Sequence, residues 1–293
     1  MEVSAPDEKR YELPNVAAVP QFSPFRYPGG KSRWYELIRA WVEHASPSRF
    51  VEPFAGGAHA GLAVAYEEWG RRMVDEVVLI ERDENVAAVW ETIFNGEVDW
   101  LVQSIKEFEM SRETAESVVE SKNGGTKEQA FAMIVHNRVS RGGVTTPGAG
   151  WLKNGENGEG LGSRWYPNTL ADRIEKLSEV RNRVEFIEGD AFEETHRYQS
   201  ASDALFIDPP YPGAGERLYD HSDVDHEQVF ALAHQSAGPV LLTYDDSDEV
   251  KSLVEKYDLE AEEVLVPTTH HCEKTELLIS DDFQWKRKVG SNT

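Results

Sequence analysis

In ALFIDPPYPGAG (204 to 215) an apolar stretch runs into Asp208, Pro209, Pro210 and Tyr211. Proline fixes the backbone and removes an N–H donor, so the carbonyls of Asp208 and Pro209 can be held toward one place. A carboxylate beside a fixed carbonyl suits an amine whose lone pair is delocalised into an aromatic ring, as in adenine. Accepting both amine hydrogens would push the nitrogen toward a tetrahedral geometry and align it for attack on a methyl group, with Tyr211 stacked on the base. A stiffened strand end with a stray aromatic is the plainer alternative.

A second constellation lies upstream. RFVEPFAGGAHAGLAVAYE (49 to 67) is an apolar strand ending in Glu52, then a glycine turn and an alanine-rich helix start. Glycines there let a ligand approach backbone amides. The next apolar run, VLIERDEN, places Glu81 about twenty residues after Gly61, where an acid can accept both ribose hydroxyls of a nucleoside. Ala58 breaks the usual three-glycine dinucleotide pattern. A tight turn with no ligand remains open, and the pairing of turn and strand-end acid favours an adenosine-containing ligand.

One segment has the composition to meet a polyanion. Residues 136 to 166 hold Arg138, Arg141, Lys153 and Arg164 against Glu156 and Glu159, in a chain of net charge −23. Arginines there can hold phosphates or read guanine edges, and Trp151, Trp165 or Tyr166 can wedge into a base stack as a base leaves it. A solvated loop with ordinary cations is the alternative.

These residues need a frame. From Arg49 the chain alternates apolar runs, small or acidic turns, and helix-period stretches, the signature of βαβ units and a parallel sheet. Seven strands are expected, at RFVEPF, EVVLIE, VEFIEG, ALFIDPP, PVLLTY, AEEVLVP and TELLIS, giving a doubly wound, mostly parallel α/β sheet. Between the second and third, 97 to 140 reads as helical, and 142 to 162 holds 8 of the 22 glycines, a long mobile loop by composition. Residues 1 to 22 read as an extended arm. Residues 96 to 167 read as an insertion that recognises the target, within a catalytic domain made of 23 to 95 and 168 to 293.

Composition sets outer limits. With 40% hydrophobic and 10% aromatic residues, the 293-residue chain is too apolar to be disordered. Cys272 is the single cysteine, which excludes an internal disulfide, zinc fingers and Fe–S clusters. His136, His221, His226, His270 and His271 lack partners at zinc-like spacing, so no metal is expected. The absence of a signal-like start and of a long apolar run implies a soluble, cytoplasmic protein with no membrane partner. Dispersed carboxylates, with 12 Lys against 18 Arg, suggest adaptation to concentrated salt.

The motifs together resemble the Dam-type adenine-specific DNA methyltransferases, over Phe25 to about Ser280. PFRYPGGKSRW resembles that family's N-terminal cofactor motif, FVEPFAGGAHAG its methionine-binding glycine motif, ERDEN its ribose-binding acid, GDAFE its adenine-reading acid and DPPY its catalytic motif. HNRVSRGG, LLTYDDSDEV and EKTELLIS follow in the expected order. His59 stands where the turn residue is usually small. The resemblance implies a Rossmann-like methyltransferase sheet and S-adenosylmethionine as cofactor, held by Tyr27, Lys31, Glu52, Phe54, Gly56, Glu81 and Asp190. It also implies double-stranded DNA as partner, with a cognate restriction endonuclease left open.

Rival readings are methylation of RNA adenine or of the cytosine amine, a dinucleotide-dependent oxidoreductase, and a catalytically silent DNA-binding module. The missing middle glycine and DPPY argue against the oxidoreductase, and an intact DPPY against the silent module.

Overall fold

The computed structural model describes residues 11–27, 29–66, 72–121, 124–146, 149–155, 158–212, 223–267 and 273–286. Cys272, His221, His270, His271, Glu156 and the first ten residues of the arm lie outside them.

Strand β2 (Arg49–Glu52) sits near the middle of one sheet, with β3 (Glu76–Glu81) and β4 (Val184–Glu188) added on one side. The chain then returns to the other side of β2 to add β5 (Asp203–Ile207) and β6 (Val240–Asp245). All these neighbours are parallel. The last two, β7 (Glu260–Pro267) and β8 (Glu273–Ser280), form an antiparallel pair, with β8 also antiparallel to β6. With β1 at Tyr11–Glu12, the strand order is β1-β7-β8-β6-β5-β2-β3-β4. Its direction of growth reverses between β2 and β5, and at such a point the loops after the two strands diverge and leave a crevice.

Within the apolar runs, successive residues divide between two buried clusters. Phe50, Val77, Leu79, Ala204, Phe206 and Leu241 join one buried cluster, and Val51, Val78, Ile80, Leu205, Ile207 and Leu242 the cluster on the opposite face. Successive side chains of a strand point to opposite faces, so near-continuous apolar runs are what a sheet covered on both faces requires.

An eighth strand was not expected. Within the arm, β1 (Tyr11–Glu12) pairs in parallel with Val264 and Leu265 of β7, and Leu13 N donates to Leu265 O at 3.0 Å. Leu13 and Phe22 are buried.

Residues 96 to 167 pack onto the main core. Leu101 and Ile105 of α4 (Val98–Glu107), Met133 and Ile134 of α6 (Thr126–Val139), and Leu170 and Ile174 of the following α7 (Pro167–Glu179) share the cluster of Phe50 and Leu79. After α6 the glycine-rich stretch makes a tight turn at Arg141–Gly143 and an antiparallel bridge between Ser140 and Trp151. Buried Asn137 clasps this turn to the segment before the first helix. Its Nδ2 donates to Gly143 O at 2.9 Å and Arg26 O at 3.0 Å, and its Oδ1 accepts from Arg26 N at 2.9 Å. Gly143 has φ +80°, and a Cβ there would collide with the Arg26 carbonyl.

Candidate active site

The cleft at the strand reversal is lined by Tyr27, Lys31, Glu52, Phe54, Gly56, Glu81, Asp190, Asp208 and Pro210 among others. The fold thus brings together nearly all the residues singled out for cofactor and chemistry. Arg82, Gly143 and Thr145, none of them singled out, also line it.

Each wall has a local reason. After β2 the chain turns through Gly56, at φ +46°, and Ala58, at φ +50°, into α2 (His59–Ala65). A Cβ on Gly56 would lie 2.8 Å from a Tyr27 ring carbon, so glycine lets that ring settle on the turn. The turn is fixed from two sides, because Glu81 Oε2 accepts from Gly56 N at 2.6 Å and Trp90 Nε1 donates to Gly56 O at 2.9 Å. Glu81 Oε1 accepts from Asp83 N at 2.7 Å. Burial pushes the Glu81 carboxyl up to about 7 despite these donors. Glu52 is buried, its Oε2 accepts from Gly61 N at 2.7 Å, and burial, with Asp208 nearby, pushes it up to about 8.

Asp190 caps the short helix α8 (Ala191–Thr195), its Oδ1 accepting from Phe192 N at 2.9 Å. Its Oδ2 lies 3.7 Å from an Arg82 guanidinium nitrogen. Phe54 meets Phe192 edge to face at 5.8 Å.

His59 is 7% exposed, lines the cleft and makes no hydrogen bond to a described residue. Its ring rests on Gly30 and Gly57, where a Cβ would come within 2.6 and 2.7 Å of it. Burial, helped by Lys31 and Arg173, pushes its pKa down to about 4 and keeps it neutral.

Asp208 follows the last residue of β5. Lys31, itself buried, places Nζ 2.8 Å from Asp208 Oδ1 and donates to Gly29 O at 2.8 Å. Thr243 Oγ1 donates to the same Oδ1 at 2.6 Å, and Tyr211 Oη lies 3.3 Å from it. Burial raises the Asp208 carboxyl, while Lys31 and Thr243 lower it. Pro209 is buried beside it.

Tyr211 was expected to offer a face to a base. Its ring is stacked on Tyr244 at 5.6 Å, with the ammonium groups of Lys31 and Lys274 5.2 and 5.4 Å from its centroid. Its hydroxyl also lies 3.3 Å from Oε2 of Glu276, which β8 contributes.

The four cations expected on nucleic acid separate. Arg138 turns inward: its guanidinium donates to Pro24 O, and burial with Arg173, Arg26 and Arg164 nearby presses it down to about 9. That residue anchors the segment before the first helix. Arg141 and Lys153 are exposed, and Arg164 is half-buried. Of the three wedge candidates, Trp165 packs edge to face on Phe108 at 5.5 Å, Trp151 lies under Arg112 at 5.7 Å, and Tyr166 is exposed. Among the described residues no group of His, Cys, Asp and Glu could hold a metal, and no helix is long and apolar enough to cross a membrane.

No family model and no curated protein sequence matches the chain. Similar solved structures include an rRNA methyltransferase from Streptomyces viridochromogenes, 11% identical with a TM-score of 0.39 over 92% of this chain and 89% of that one. Another is an O-methyltransferase from Streptomyces achromogenes in complex with S-adenosylmethionine, 11% identical, TM-score 0.36, over 85% and 79%. A third is a tRNA methyltransferase from Bacillus subtilis, 9% identical, TM-score 0.34, over 87% and 69%. Likeness this low assigns neither activity nor substrate.

Proposed function

We propose that the chain is an S-adenosylmethionine-dependent methyltransferase acting on the exocyclic amine of an adenine flipped out of DNA. The observation that carries the proposal is the convergence of Asp208 with the Gly56 turn and Glu81 in one cleft at the strand reversal. A nucleoside acceptor, a backbone cradle and an amine acceptor are then within one ligand's reach of one another.

The residues present fit the cofactor. The turn at Gly56 and Gly57 admits no Cβ without displacing Tyr27 or His59, so glycine packs the turn against both rings where it lines the cleft. Glu81 would hold the ribose, Asp190 and Phe54 the adenine end, and the turn with Tyr27 the methionine end. When bound, S-adenosylmethionine supplies an electrophilic methyl group on a sulfonium.

Everything else is done by this chain. Asp208 accepts one hydrogen of the target amine and the Pro209 carbonyl the other, which fixes the direction of the nitrogen lone pair. The same carboxylate is placed to take the proton that the methylated nitrogen must lose. Lys31, 2.8 Å from Oδ1, opposes the burial that raises the Asp208 carboxyl and so favours its ionised form. Exposed Arg141 and Lys153 supply phosphate contacts beside the cleft wall formed by Gly143 and Thr145.

Tritiated methyl transfer to duplex DNA, single-stranded DNA and RNA tests the proposal. Label on N6 of adenine in duplex DNA is expected. Label in RNA alone would overturn the DNA assignment, and no transfer to any nucleic acid would overturn the whole.

A further inference from the structure

Three donors converge on one oxygen of Asp208, and they come from three parts of the fold. Thr243 Oγ1 reaches Oδ1 at 2.6 Å, Lys31 Nζ at 2.8 Å and Tyr211 Oη at 3.3 Å. No described residue bonds Oδ2, and the Asp208 side chain is one-fifth exposed while lining the cleft. A carboxylate swings about its last torsion over a broad, roughly two-fold range, so a particular oxygen faces the substrate only if something holds the other.

Thr243 is the donor whose place is set by the sheet. Leu242 pairs with Ile207 between β6 and β5, so the next residue on each strand brings Thr243 beside Asp208. Thr243 is fully buried in an otherwise apolar run, VLLTY, and its hydroxyl goes to Asp208. A hydroxyl in such a run costs stability unless it is bonded, and this one is bonded to the reacting carboxylate. Lys31 and Tyr211, in contrast, each divide their polar groups between Asp208 and a second acceptor, Gly29 O and Glu276 Oε2 respectively.

We propose that Thr243 is a positioning residue: it ties down Oδ1 of Asp208 and leaves Oδ2 as the oxygen offered to the substrate amine. The proposal rests on the methyl-transfer reading and adds to it the atom that does the work. It also requires the hydroxyl to help keep the carboxylate ionised. The other charged or titratable groups facing Asp208 are Lys31, Glu52 at the end of β2, Tyr211, Tyr244 on β6 and Glu276 on β8. Of these Lys31 alone is cationic, so loss of the Thr243 donor leaves Lys31 and the more distant Tyr211 hydroxyl against burial.

The test compares Thr243→Val, which keeps the shape and removes the donor, with Thr243→Ser, which keeps the donor. Thr243→Val is expected to lower single-turnover methyl transfer roughly 10-fold or more, the scale for a partner that orients a reacting group, with cofactor affinity within about 2-fold of wild type. The acid limb of its rate profile is expected to move to higher pH, and Thr243→Ser to recover both. Carboxyl carbon-13 labelling of aspartate, with Asp208→Asn to assign the signal, reads the Asp208 titration without any substrate. That signal is expected to move to higher pH in Thr243→Val and to return in Thr243→Ser. An unchanged titration in folded Thr243→Val, or equal losses in both variants, overturns the proposal. Wild type inactive on every nucleic acid would instead overturn the methyl-transfer reading, and the titration would still decide the role of Thr243.

Discussion

Glu81 and Gly56 lie 25 residues apart in the chain, yet the carboxylate of one accepts the amide hydrogen of the other at 2.6 Å. One side chain therefore shapes the glycine turn and stands where a ribose would be held. Glu81→Ala is expected to weaken S-adenosylmethionine binding by about 1.5 to 3 kcal/mol, the scale for a hydrogen bond to a charged group, as read by calorimetry. Unchanged affinity in a folded variant would move the ribose contact elsewhere, with Asp83 next in line.

Asp208→Ala is expected to fold, to bind cofactor and to lose methyl transfer by about 100-fold or more, because its acceptor acts mainly as the nitrogen attacks. Asp208→Asn keeps one acceptor oxygen and is expected to retain more activity. Single-turnover rates at saturating cofactor and DNA check both, and transfer by Asp208→Ala at the wild-type rate would end the proposed mechanism.

Glu52 gives stability a definite slope with pH. Its carboxyl is pushed up to about 8 by burial, above the ordinary 4.5. The folded chain thus holds a proton there that the unfolded chain releases, so its contribution is full below about 4.5 and is lost as pH rises through 8. Thermal melts of wild type are expected to fall between pH 5 and pH 8, where Glu81, pushed up to about 7 by burial, adds to the effect of Glu52. Glu52→Gln is expected to flatten that slope, and parallel slopes in the two proteins would contradict the assignment.

The cations of the insertion divide into two experiments. Arg138→Met is expected to lower thermal stability, since the Pro24 carbonyl loses its donor. Arg141→Ala and Lys153→Ala are each expected to leave the melt unchanged and to reduce the salt slope of DNA binding by about 1. A DNA-binding loss confined to Arg138→Met would reverse the two roles.

The salt proposal has its own test. Activity is expected to be highest near molar salt, where the Debye length is about 3 Å and repulsion between DNA and a −23 chain is screened. An optimum near 0.1 M in a fully folded protein would count against it.

The seven strands were legible because a sheet covered on both faces writes itself as apolar runs, and Phe50 and Val51 show the two faces adjoining. Asp208, Glu52 and Glu81 were legible for a related reason: each stands at or just beyond the end of such a run. What sequence did not show depends on register across strands. Thr243 is one hydroxyl in VLLTY, and only the pairing of Leu242 with Ile207 brings it to Asp208. Glu276 reaches Tyr211 because β8 turns back beside β6. Arg138 carries the same charge as Arg141 three residues on, but α6 turns Arg138 inward while Arg141 stands exposed in the turn after the helix. A two-residue strand such as β1 has no period to read.

That short strand bears on how the molecule avoids its own kind. Edge strands invite pairing with a second chain unless they are covered or charged. Tyr11 and Glu12 cover Val264 and Leu265, the apolar stretch of β7, while the start of the strand, paired on that side with no described residue, carries Glu260, Glu262 and Glu263. At the opposite edge β4 carries Glu185 and Glu188. Concentrated salt would mute all of these carboxylates at once and would leave the backbone cap in place, so the apolar part of the β7 edge has the protection that does not depend on ionic strength.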